Sequence, residues 1–187
     1  MLDGKQVALR AIEPADLELL RGWRNQPHFR RNFREYREIS SIEQQHWYDT
    51  QVVGNAAVRM FSIVDRKTGV LLGACGLCYI DWLRRSADFS IYIGADDRYI
   101  DAEYADDAAR ILMDYGFDEL GLHRLWAEVY AFDTKKQAMF RRLGFKVDGR
   151  FRDSHWAEGR WHDSLFFALL QPDYRKKARN QVVGKRR

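Results

Sequence analysis

The stretch SADFSIYIGADD (86–97), RYIDAEYADDAARILMDYGFDELGL (98–122), HRLWAEVYAFDT (123–134) and KKQAMFRRLGFKVDGR (135–150) decides the architecture. Its start reads as a strand over about 87–94. A helix follows over about 101–119, with Ala108, Ile111, Leu112 and Tyr115 as its buried stripe and Gly121 ending the segment. A second strand is predicted at Arg124–Tyr130. Thr134–Leu143 then reads as a helix, with Asp133 or Thr134 as its cap and Gly144 just past its end. A strand around Lys146–Phe151 closes the stretch. A strand feeding a helix and then a parallel strand is a βαβ unit.

Working outward, Val7–Arg10 reads as a short first strand, and a helix starts near Pro14, where the fixed φ of proline is already helical. Leu17, Leu20 and Trp23 share one face of that helix, and Pro27 ends it. Residues 28–38, basic and aromatic without clear period, read as an irregular loop or short helix. Ser40 with Glu43 and Ser41 with Gln44 offer two overlapping capping boxes for a helix running to about Val52. Strands at Val58–Val64 and Val70–Ile80 flank a turn at Asp65–Gly69, and a turn at Ala157–Arg160 leads into a last strand, Trp161–Leu170. Residues 1–174 are expected to form one domain, with 175–187 as a basic tail.

A chain of 187 residues with 46% apolar content and six tryptophans can bury about 70% of its unfolded surface. No apolar run reaches the length of a membrane helix, and the start lacks a secretory h-region, so the cytoplasm is the expected compartment and no membrane partner is expected. The net charge of +4 is local. Residues 175–187, RKKARNQVVGKRR, hold seven Lys/Arg and no acid, leaving 24 basic residues against 27 acidic ones in the body. Such a tail reads either as a solvated end or as a weak contact for RNA; no aromatic residue interleaves its charges. Cys75 and Cys78 make half a zinc site at most, and their spacing of three puts them on opposite faces of a strand. They read as small apolar residues, and no metal is expected.

Two phrases, GFDELGLHRLWAEV (116–129) and FRRLGFKVDGRFRD (140–153), are similar to the signature of the GNAT superfamily of N-acetyltransferases. LRAIEPADLELLRGWRN (9–25) and SIEQQHW (41–47) resemble its branches acting on ribosomal-protein amino termini and on nucleotide-linked amino sugars. The resemblance implies an α/β (α+β) fold. It has a mixed sheet of about seven strands, about four helices, and a splayed pair of strands at 87–94 and 124–130. It implies acetyl-CoA as donor, a small-molecule amine or nucleotide sugar as acceptor, and a homodimer by family habit.

On that resemblance, Ser90, Ile91 and Ile93 offer backbone amides to the donor arm, and Asp133, Lys136 and Phe140 stand at its asparagine, serine and tyrosine positions. Phe140 has no proton to give; Lys136 either meets a phosphate or is solvated. Arg98, Tyr104 and Ala105 fall at the phosphate-binding helix start. The glycines usual there are Asp101 and Glu103, acids that suit a free helix N-terminus. Each opposes a pyrophosphate at about 4 Å by ~1 kcal/mol in water and more in a drier site. Asp88 matches a family carboxylate and reads as the amine base or as a partner of Arg84 or Arg85; Tyr92 reads as an acid or as packing. Trp23, Arg24, Asn25, His46 and Trp47 are candidates for the acceptor pocket. The acidic helix start keeps an alternative open: a GNAT fold that no longer uses acetyl-CoA, either a binding module or an enzyme with a carrier- or tRNA-presented donor.

Overall fold

A computed structural model describes residues 1–176; most of the basic tail lies outside the described residues. An eight-stranded mixed sheet forms the centre. Its strands are β1 (Leu2–Asp3), β2 (Val7–Ala11), β3 (Arg59–Asp65), β4 (Leu71–Asp81), β5 (Ser86–Ile93), β6 (Arg124–Tyr130), β7 (Lys146–Ala157) and β8 (Arg160–Leu170). They are ordered β1-β2-β3-β4-β5-β6-β8-β7. The helices are α1 (Leu17–Asn25), α2 (Pro27–Arg30), α3 (Ser41–Trp47), α4 (Tyr104–Asp114) and α5 (Thr134–Leu143). The expected mixed sheet is present, with one strand more than foreseen. The extra strand is β1, two residues paired with Leu9 and Ala8 of β2, too short to carry a period.

The helix ends follow from local chemistry. Ser40 Oγ accepts from Glu43 N at 3.1 Å and a Glu43 carboxylate oxygen accepts from Ser40 N at 2.8 Å, so the first of the two capping boxes starts α3. Asp133 caps α5 by accepting from Lys136 N at 3.0 Å, and Gly144 ends it at φ 99°. Pro27 does stop α1, because α2 begins on the proline itself. The helix expected from residue 101 starts at Tyr104, since Asp101 is spent on capping it.

Alternation along β5 assigns the layers. The Phe89 ring meets Phe140 and Phe145, at α5 and just beyond it, with centroids 5.8 Å away. Asp88, Ser90 and Tyr92, on the other face, line a cavity with Leu20 and Arg24 of α1 and Trp47 of α3. Helix α4 packs on β2, β4, β5 and α5.

Strands β5 and β6 are the parallel pair, and they pair only at Ser86↔Arg124, Ala87↔Leu125 and Asp88↔Trp126. Beyond Asp88 they part. β5 stays bonded to β4 as far as Ile93, and β6 stays bonded to β8 as far as Tyr130, so each is held on its outer edge while the inner edges separate. Among the described residues no helix is long and apolar enough to cross a membrane.

Candidate active site

The gap between β5 and β6 presents free backbone. Arg85 accepts from Arg124 N through its carbonyl at 3.2 Å, and Ile93 N donates to Tyr99 O at 2.7 Å. Both groups point to the β6 side. By the two-residue alternation of a strand, Phe89 and Ile91 turn their N–H and C=O to the same edge; the Asp88↔Trp126 pair still uses the Phe89 N–H, and past it β6 has departed. The amides expected from Ser90, Ile91 and Ile93 are thus corrected. Ile91 faces the opening, the Ile93 N–H is taken by Tyr99 O, and Ser90 directs its backbone to β4.

The cavity beside this gap holds about 890 Å³. At the point where the strands part lies a charged cluster. Arg34 Nη1 donates to Asp88 Oδ2 at 3.0 Å, and Arg34 Nε lies 3.7 Å from Glu128 of β6. The expected partners Arg84 and Arg85 are elsewhere: Arg84 binds Asp81 at 2.6 Å, and Arg85 forms the strand-bridging bonds. Burial pushes the Asp88 carboxyl up, and Arg34 opposes that push. Opposite Asp88 on β4 is Cys78, which lines the cavity and is pushed up to about 12 by burial, while Cys75 is fully buried in the core. Among the described residues no group of three His, Cys, Asp or Glu side chains is arranged to hold a metal.

Lys136 is half-buried and lines the same cavity. Its ammonium lies 5.3 Å from the centre of the Tyr99 ring and within electrostatic reach of Asp133, Asp88 and Arg34. Burial lowers its pKa, with Asp133 and Asp88 resisting. Tyr99 donates its hydroxyl to Asp133 Oδ2 and so crosses the far end of the gap. Phe140 is fully buried against Phe89, Phe145 and Phe167.

The remaining candidates divide. Arg24, His46 and Trp47 line the cavity, and Tyr92 does so with its ring edge-on to Phe33. Trp23 does not, because its ring packs into the core over Gly94. Asn25 is a clamp instead: its side chain donates to Ile39 O and accepts from Ile39 N, both at 2.8 Å. That bond pair fixes the far end of the 31–38 segment, which carries Arg34 into the site. Arg34, Glu128 and Tyr99 escaped sequence reasoning. The signal for Arg34 was the basic run at 28–38; for Glu128 and Tyr99 there was none beyond their position.

Past Asp88 the edge of β5 at Ile91 is open for an extended chain to lie along. The start of α4 is occupied from within. Asp101 Oδ1 accepts from Glu103 N and Ala105 N, both at 3.0 Å, and Arg98 Nη1 lies 3.4 Å from both Asp101 and Glu103. Arg98 also stacks on Tyr104 at 4.5 Å. A phosphate at this helix start must displace the Asp101 carboxylate, and Arg98 is the cation positioned to meet it.

A family model described as "Acetyltransferase (GNAT) domain" matches residues 6–146. The chain is 28% identical over 174 residues to an uncharacterized N-acetyltransferase p20 of Bacillus licheniformis, covering 91% of this chain and 96% of that protein. It is 27% identical over 174 residues to a spermidine N(1)-acetyltransferase of Escherichia coli, covering 93% and 91%. The structure superposes with a TM-score of 0.81 on a crystal structure of spermidine N-acetyltransferase from Vibrio cholerae in complex with CoA and spermine. That match is 28% identical and covers 90% of this chain and 98% of the other.

Proposed function

The chain belongs to the GNAT acetyltransferase family, and from that premise we propose that it moves an acetyl group from acetyl-CoA to a primary amine of a small polycationic acceptor. The observation that supports this is the parting of β5 from β6 after Asp88, beside a cavity of about 890 Å³. The cofactor supplies an activated acyl carbon. The protein's own contribution is alignment and proton handling. The Ile91 amide holds the arm and polarises the carbonyl beside it. Asp88, whose carboxyl burial pushes up while Arg34 opposes that push, takes the proton that the incoming ammonium must lose.

Acids outnumber bases around the cavity. Glu35, Glu38, Glu43, Asp88, Glu128 and Asp133 face Arg24, Arg34, Arg37 and Lys136. Two of those cations are already committed: Arg34 to Asp88 and Glu128, and Arg37 to Glu35 at 2.8 Å. Glu38 and Glu43 stand exposed at the rim, where they attract a second positive charge on the acceptor.

A second reading rests on Arg24. Its Nε is buried with no hydrogen-bond partner among the described residues, which suits an acceptor bearing an anionic group, such as a nucleotide-linked amino sugar. Assaying transfer from acetyl-CoA to spermidine, spermine and a nucleotide-linked amino sugar separates the two. Glu38→Gln with Glu43→Gln should raise KM for spermidine several-fold. Arg24→Met should raise KM only for the nucleotide sugar. Transfer to the sugar alone overturns the polyamine reading, and no transfer to any amine overturns both.

A further inference from the structure

Thioester aminolysis leaves a thiolate that needs a proton, and the reacting gap contains few groups able to supply one. We propose that Lys136 is that proton donor: a lysine on the first turn of α5 whose ammonium reaches into the gap between β5 and β6. This rests on the acetyltransferase reading above and adds to it the residue that serves the leaving group.

Placement carries the argument. Lys136 and Phe140 stand one turn apart on the same face of α5. Phe140 fills the face with a ring fully buried among phenylalanines, so no acid stands at that level. Lys136, one turn nearer the open end, lines the cavity. Its backbone is fixed by the Asp133 cap, and its Nζ is held over the Tyr99 ring. The charged and titratable groups that surround it are Asp133 from its own cap, Asp88 from β5, Arg34 from the 31–38 segment and Tyr99 from the loop before α4. Glu128 and Tyr130 of β6 line the same cavity.

Burial pushes three neighbouring hydroxyl and thiol groups away from giving up a proton. Burial raises Tyr92, moves Tyr130 up to about 12, and moves Cys78 up to about 12. Burial acts on a cation in the opposite sense and makes Lys136 readier to release its proton than an ordinary lysine. The balance is complete. The N–C bond forms as the C–S bond breaks, the C–S electron pair leaves on sulfur, and Lys136 Nζ gives sulfur one proton. The acceptor nitrogen enters as an ammonium and loses two protons on the Asp88 side, one before attack and one as the N–C bond forms, each passed on by Asp88 to solvent, and Lys136 is recharged from solvent through the cavity.

The test compares wild type with Lys136→Met and Lys136→Arg. It measures kcat and KM from roughly pH 6 to 10, CoA affinity by calorimetry, and the Lys136 ammonium by NMR titration in the free chain. A donor that must stay protonated makes wild-type kcat fall as pH rises through its pKa. The expected results are a Lys136 amine titrating below the ordinary lysine value and a kcat lower by about 10²- to 10³-fold in Lys136→Met. CoA affinity should change little, and the alkaline limb should vanish in both variants. Lys136→Arg keeps the charge and so should keep CoA binding while failing to recover kcat. An unchanged kcat in Lys136→Met overturns the proposal, as does a loss explained wholly by weaker CoA binding, or recovery of kcat by Lys136→Arg. Inactive wild type toward every amine would instead bring down the parent reading, and this inference with it.

Discussion

Asp88 holds a hydrogen bond to Arg34 and, on the proposed mechanism, takes the proton of the incoming amine. Burial raises its pKa, so the active, ionised form gains population as pH rises, and activity should climb on an acid limb set by this group. Asp88→Asn should erase that limb and lower kcat by about 10²- to 10³-fold, with CoA affinity by calorimetry little altered. An acid limb that survives the change would assign it to Glu128 or another carboxylate. Trp23 teaches the opposite lesson. It looked like a pocket residue by its neighbours in sequence and is core by its contacts. A Cβ on Gly94 would lie 2.0 Å from its ring, so Gly94→Ala should destabilise the fold by about 1–3 kcal/mol, read as a lower urea midpoint. Trp23, Arg24 and Asn25 are adjacent, yet one packs, one lines the cavity and one clamps the backbone of Ile39. Successive helix residues point about 100° apart, and sequence does not say where that circle faces.

At the scale of an element, the start of α4 is the feature peculiar to this chain. Asp101 accepts from the Glu103 and Ala105 amides, and Arg98 sits between two acids. The helix gains from this arrangement, while an incoming phosphate meets both competition and like charge. Asp101→Gly with Glu103→Gly should therefore tighten CoA binding by tenfold or more and slightly lower thermal stability, measured by calorimetry and a melting curve. Unchanged affinity would mean that the phosphates do not approach this helix start. That these acids suit a helix start was legible from residue type, because a helix start is a local object; that they stand where glycines are usual came from the family resemblance. That Arg98 is spent on neighbours three and five residues away was hidden, since it depends on rotamers that only the packed loop selects.

For the whole molecule, the gap is a property of two halves. β2, β3, β4 and β5 form one antiparallel run, β6, β8 and β7 another, and three residue pairs join them. The amide of Ile91 lies on the seam. Its hydrogen exchange in the free protein should outpace that of Ser90 and Tyr92, which bond toward β4, and added CoA should slow it. Equal protection of the three amides in the free protein would mean that the strands close on each other.

The sequence by itself determined which elements form, because caps, stop signals and hydrophobic periods are written within a few residues of where they act. Thr134–Leu143 and Arg124–Tyr130 were read to the residue for that reason. It also determined the kind of chemistry, through phrases long enough to be distinctive. Tertiary structure alone decided who meets whom in the gap: Arg34 reaching Asp88 across 54 residues, Tyr99 reaching Asp133 across 34, and Lys136 turned inward rather than to water. Those meetings depend on where two strands cease to pair, and that is set by the outer partners pulling each strand its own way.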